Sequence, residues 1–205
     1  MPEGANDKAE AFMTLVEDKI RTLLREFSDG KLNSEQFHIL YERYSSQRLI
    51  AQQAMLTGDM QVLNDAPGDQ PTYVLKDAHM GKATGVMIYL NSSGATIETL
   101  GTFNVSAFVI SPVLTEFRQA AANSRIIRAR VQRLEDKRWL LFAGGRYTTV
   151  VTVFRNEPSP MQMREMQRLH EDFETANQAM LQTDSVNANQ LAFPFNAFIQ
   201  RKLKR

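Results

Sequence analysis

The chain has no cysteine, one tryptophan and three histidines in 205 residues. Without cysteine there is no disulfide framework, no thiol nucleophile and no thiolate-bound zinc. The same absence fits a reducing compartment. Lys and Arg (24) almost balance Asp and Glu (23), so a net charge of +1 gives no global electrostatic case for nucleic acid. No apolar run approaches the length of a membrane span. The opening MPEGANDKAEAF has neither a basic stretch nor an apolar core and does not read as a secretory signal. A cytoplasmic protein is expected, and any basic function has to be local.

What is present is enough for a real core: 43% of residues are hydrophobic, against 23% charged. The length suits one domain with an appendage, or two small domains. Phe12, Leu15, Val16, Ile20, Leu23, Leu24 and Phe27 recur at three- and four-residue steps and predict a helix. Ser28-Asp29-Gly30 ends it, with Gly30 suited to a left-handed position. Asn33 and Gln36 have capping-box spacing for a second helix, in which Phe37, Leu40, Tyr41 and Tyr44 make a stripe. Residues 9–58 are therefore expected to form an α-hairpin. Pro67, Gly68 and Pro71 mark 59–72 as a linker or surface loop.

Strand patterns dominate the next block. Residues 85–90 (GVMIYL) and 95–100 (ATIETL) flank the turn residues Asn91-Ser92-Ser93-Gly94 and predict a hairpin. A helix follows within 105–122, with Ser111-Pro112 as its start or as a kink inside it. Residues 124–134, 139–143 and 147–154 read as a three-stranded meander, turned at Asp136-Lys137 and Gly144-Gly145. Ile127, Ala129 and Val131 fall on one side of its first strand; Arg128, Arg130 and Gln132 fall on the other. Ser159-Pro160 opens a last helix that carries Met163, Met166, Leu169, Phe173, Ala176 and Met180. The fold class is thus α+β: the α-hairpin, then a ββαβββα domain over 73–182, then an aromatic and basic tail over 183–205.

Few residues suggest chemistry. His38, His79 and His170 have no metal-ligand spacing, and His170-Glu171-Asp172 reads as a solvated face. Gly144-Gly145-Arg146 is better explained by a hairpin turn than by a phosphate loop, because a strand and not a helix follows it. No nucleophile or acid–base pair stands out, so a non-enzymatic protein with no cofactor and no metal is expected. Two interaction surfaces remain. One is the basic hairpin with Arg128, Arg130 and Arg133, which reads either as a patch for an acidic partner or as the charged guard of an edge strand. The other is the tail, where Phe193, Phe195 and Phe198 precede Arg201 and Lys202. It has three available homes: its own domain, a partner groove or an anionic membrane. Docking on protein is expected over the membrane. Nucleic acid is disfavoured, since no aromatics interleave with the arginines.

Helix, hairpin, helix, meander, helix is an order with a counterpart. The segment from Gly85 to Met180 resembles the roadblock (dynein light chain) fold, which is related to longin and profilin-like domains. The resemblance implies a five-stranded antiparallel sheet with helices on its faces. It also implies homodimers or heterodimers, with pairing through the strand at 124–134 and the preceding helix, and scaffold or small-GTPase-regulator roles. Leu24, Phe27, Gly30, Leu32, Ser34, Glu35 and Phe37, within LLREFSDGKLNSEQF, look like the SHOCT type of helical module, a binding or oligomerisation element. The sequence departs from that pattern at Asn33, where Ser or Thr is commoner. The alternative is a PAS- or GAF-like sensory domain that binds a small ligand. Tyr89, Trp139, Phe142, Tyr147 and Phe154 favour a filled core over the cavity a sensor needs.

Overall fold

The computed structural model describes residues 3–65, 70–125, 127–183 and 186–195. It divides into two compact units: Met1–Met80 with Ser159–Met161, and Gly81–Pro158 with Gln162–Arg205. The boundary at 80/81 lies beyond the expected 59–72 connection. Residues 72–78 are a helix of the first unit, not the start of the α/β domain.

In the first unit, helix α1 (Glu3–Ser28) and helix α2 (Ser34–Thr57) form the expected hairpin. Gly30 is left-handed (φ 74°), and the amides of Gly30 and Lys31 bond back to the carbonyls of Phe27 and Glu26, both at 2.9 Å. This is the Schellman ending, which satisfies carbonyls that the helix leaves unpaired. Asn33 and Gln36 then make both bonds of a capping box. The seam differs from the expected stripe. The buried residues of α2 are Gln36, Leu40, Tyr44, Gln47, Ala51 and Ala54, while Leu49 and Leu56 are 65% and 87% exposed. On α1 the buried residues are Ala9, Val16, Ile20 and Leu23. Small and amide side chains therefore occupy positions that a hydrophobicity pattern leaves blank.

A 3-10 turn (Met60–Asp65) and helix α3 (Thr72–Ala78) complete the unit. Leu75 of α3 packs on the hairpin core, and Tyr44 Oη lies 2.8 Å from Thr72 Oγ1.

The second unit contains strands β1 (Ala83–Leu90) and β2 (Thr96–Gly101), then helix α4 (Ala107–Ala122). Strands β3 (Arg130–Arg133), β4 (Trp139–Gly144) and β5 (Thr148–Phe154) follow, then helix α5 (Pro160–Ala176) and a single turn, α6 (Gln178–Leu181). The expected α+β class and ββαβββα order are observed. The sheet is five-stranded and antiparallel throughout, in the order β2-β1-β5-β4-β3. Since β2 and β3 are the two edges, the connection through α4 has to cross the sheet. α4 covers one face with Ile110, Val113 and Phe117, against Leu140, Phe142, Val151 and Val153. The other face (Val86, Ile88, Leu141, Ala143, Val150, Phe154) receives Met166 and Phe173 of α5 with Leu181, Leu191 and Phe195. β5, buried along its whole length, is the centre of the sandwich.

One alternative is decided and one reading changes. Ser106 caps α4, so of the two readings of Ser111-Pro112 the second holds: Pro112 lies inside the helix, where it deprives the exposed Phe108 of its i+4 donor. The last helix does not run unbroken to Met180. It stops at Ala176, and Asn177 turns its side chain to another strand of chain, described below.

Candidate interaction edge

β3 is hydrogen-bonded on one side only. Its register with β4 runs from Arg130 opposite Phe142 to Arg133 opposite Trp139. The connecting turn fixes which backbone groups face outward. Leu134 N–H donates to the Arg138 carbonyl at 2.7 Å, and Lys137 N–H donates to the Leu134 carbonyl at 3.1 Å. Lys137 is left-handed, φ 68°. That geometry is a type I turn closed by a bulge. Antiparallel pairs alternate between bonded and non-bonded. Counting from Leu134, Gln132 and Arg130 bond to β4, and the N–H and C=O of Val131 and Arg133 point away from the sheet.

The side chains around this edge are basic. Arg128, Arg130 and Arg133 are all exposed, as the sequence suggested. Arg130 reaches back to α4, with its guanidinium 2.6 Å from Glu116 Oε1 and 5.8 Å from the Phe117 ring centre. Arg133 lies 5.9 Å over the Trp139 ring. Arg138 bonds Asp136 at 2.8 Å and holds that carboxyl below its usual range, chiefly through this hydrogen bond. The alternation expected for 127–131 holds for Ala129 and Val131, which pack toward the α5 face. Ile127 turns instead to the α4 face. Residues 127–129 precede the ladder and are outside it.

The tail separates into two parts. Phe195 is completely buried and Phe193 half-buried; both rings lie 5.6 Å from Phe173. Asn177 fixes the approach. Its Oδ1 accepts from Ala192 N–H and its Nδ2 donates to the Ala192 carbonyl, each at 2.8 Å. Phe195 is therefore core and not a surface for a partner, because its ring fills the α5 face of the sheet. Phe198, Arg201 and Lys202 lie outside the described residues.

One constellation with catalytic composition escaped the sequence reading. Glu174 accepts N–H groups from Arg146 (2.9 Å), Tyr147 (2.9 Å) and Thr148 (2.7 Å), and the Thr148 hydroxyl at 2.8 Å. His170 Nε2 is 2.8 Å from the same hydroxyl. His170 is not on a solvated face but only 2% exposed. Burial pushes its pKa down to about 4, against the smaller opposing pull of Glu174. A neutral His170 donating from Nε2 to Thr148, which donates to Glu174, satisfies every proton. Thr148 is wholly buried and the carboxylate is saturated by four donors, so the arrangement anchors the β4–β5 turn onto α5. It also explains Gly145, where a Cβ would sit 2.5 Å from the Glu174 carboxyl carbon. Helical spacing with Gln162, Met166 and Phe173 puts His170 on the buried side of α5, but it does not mark Glu174 as its partner.

No family model matches this chain, and no curated protein matches it.

Proposed function

We propose that this is a cytoplasmic, non-catalytic regulatory or scaffold protein that works through protein–protein contacts, with the β3 edge as its contact element. The observation that carries this reading is the state of the sheet's edges. Both faces are already covered, by α4 and by α5 with the returning tail, while the edge strands β2 and β3 stay open; β3, with outward backbone groups at Val131 and Arg133, is the edge that also carries exposed arginines. An edge strand is a template for another chain. The resemblance to roadblock domains adds a small GTPase and a second copy of this chain to the partner classes. Against a PAS- or GAF-like sensor stands the filling of the sheet's faces. Phe142 and Phe154 are fully buried there, and Tyr89, Trp139 and Tyr147 are half-buried. Among the described residues no helix is long and apolar enough to cross a membrane.

The test is affinity capture from the native cell with wild-type protein and with Val131→Pro. Proline removes an outward N–H without touching the bonds to β4. Partners held through the edge disappear from the variant's capture. An unchanged partner set would remove the edge from the reading.

A further inference from the structure

We propose that the β3 edge binds an acidic, extended segment of a partner protein, which adds as a sixth strand beside Val131 and Arg133. The inference rests on the edge reading above and names the chemistry of the partner.

Two independent features converge at this place. The first is the backbone. Val131 and Arg133 offer two N–H donors and two C=O acceptors in strand geometry, and these call for another strand. The second is charge. Successive residues of a strand point to opposite faces, so Arg130 flanks the edge on the α4 side and Arg133 on the other, while the exposed Arg128 lies just before the ladder. An added strand with acids at alternate and adjacent positions meets guanidinium groups on both faces. Among the described residues Arg128 and Arg133 have no carboxylate partner, and the Arg130–Glu116 pair is exposed on both sides. Such a pair is weakly held and can be exchanged for an incoming carboxylate.

The same features select against the rivals. A second copy paired edge to edge would set arginines against arginines, which is unfavourable across a strand pair. A nucleic acid would satisfy the charge but has no backbone to complete the ladder. It would also find little to stack on, since Phe117 is buried and Trp139 is covered by Arg133. Salt separates the first two occupants by sign. Screening weakens an acidic strand on this edge and strengthens self-pairing.

The probe is a fluorescein-labelled nine-residue peptide of Glu, Val and Thr with Glu at both odd and even positions, so that both faces of the added strand are acidic, titrated into full-length protein. Its controls are a Lys-for-Glu counterpart and a twelve-nucleotide thymidine oligomer. The Glu peptide should bind, several-fold more weakly at high salt, and should slow amide exchange at Val131 and Arg133 in the wild-type protein. Val131→Pro should lose at least tenfold in affinity. Arg128→Glu with Arg133→Glu should reverse the preference toward the Lys peptide. Failure of the Glu peptide, while Val131→Pro still strips partners in the capture experiment, refutes the acidic chemistry and leaves the edge reading standing. Loss of neither peptide nor partners on Val131→Pro refutes both. Oligomer binding as tight as the peptide's, with exchange at the two amides unchanged, marks a general polyanion surface and overturns the proposal.

Discussion

Asn33 and Gln36 each serve two helices at once. Asn33 Oδ1 accepts Gln36 N–H at 2.8 Å at the start of α2, and its Nδ2 donates at 2.8 Å to the His79 carbonyl just past the end of α3. Gln36 Oε1 accepts Asn33 N–H at 3.0 Å, and its Nε2 donates at 2.6 Å to the Lys76 carbonyl. An amide carries its acceptor and its donor on separate atoms, so one side chain can bond two helices in different directions, whereas a hydroxyl's donor and acceptor share one oxygen. That is why Asn stands where a hydroxyl is the commoner cap.

Asn33→Ser should keep the α2 cap but lose the α3 bond, at a cost of about 1 kcal/mol. Asn33→Asp should cost more, about 1–3 kcal/mol, because a buried carboxylate would face the His79 carbonyl. Urea denaturation followed by circular dichroism gives both values. An Asp variant as stable as wild type would mean that the α3 contact contributes nothing.

His170 makes the second unit sensitive to acid. Its folded pKa is near 4 against an ordinary 6.5, so above pH 6.5 both states are neutral and nothing changes. Between the two values the unfolded chain binds the extra proton. Stability therefore falls as pH drops from about 6.5 to about 4, by up to roughly 3 kcal/mol. Melting temperatures across this range should decline for wild type. His170→Gln, though less stable at pH 7, should show a visibly flatter profile.

Gly145 and Glu174 should behave as one unit. Gly145→Ala pushes the carboxylate out of its cradle and should cost more than about 2 kcal/mol. Glu174→Ala already empties the cradle, so adding Gly145→Ala to it should cost much less than in wild type. A double-mutant cycle measures the difference, and strict additivity would contradict the proposed clash.

The returning tail contributes to stability. Phe195→Ala should cost about 3–5 kcal/mol, the usual range for a buried phenylalanine. Asn177→Ala, which leaves Ala192 N–H and C=O without their partner, should cost about 1–3 kcal/mol. Thermal unfolding of the full chain reads both. Little change in either variant would place the tail outside the folded core.

The sheet was legible because its strands follow simple chemistry. The β-branched run Thr148–Phe154, the turn at Lys137 and the double glycine at 144–145 each announce themselves. The helical seam was not legible. Gln36, Gln47, Ala51 and Ala54 are buried for fit and hydrogen bonding, while Leu49 and Leu56 remain outside. Apolar periodicity therefore finds Leu40 and Tyr44 but misses the rest of the buried face of α2. α3 was hidden by the prolines around it, although Pro71 sits where a helix can begin. The arginine edge was read correctly as exposed and at a sheet border. The Glu174 cradle was not, because its partners are backbone amides, which no side-chain pattern encodes.

The position of β5 has a consequence for synthesis. The strand at the centre of the sheet is the last of the five to be made, and its neighbour β1 is the first. Until Phe154 has left the ribosome, the β1–β2 hairpin has no partner on its inner side and α4 has only part of a surface to lie on. Closure of the opposite layer waits longer still, for Phe195. Through that stretch of synthesis β1 keeps a sticky inner edge, and its capture by other nascent chains is the hazard the topology creates.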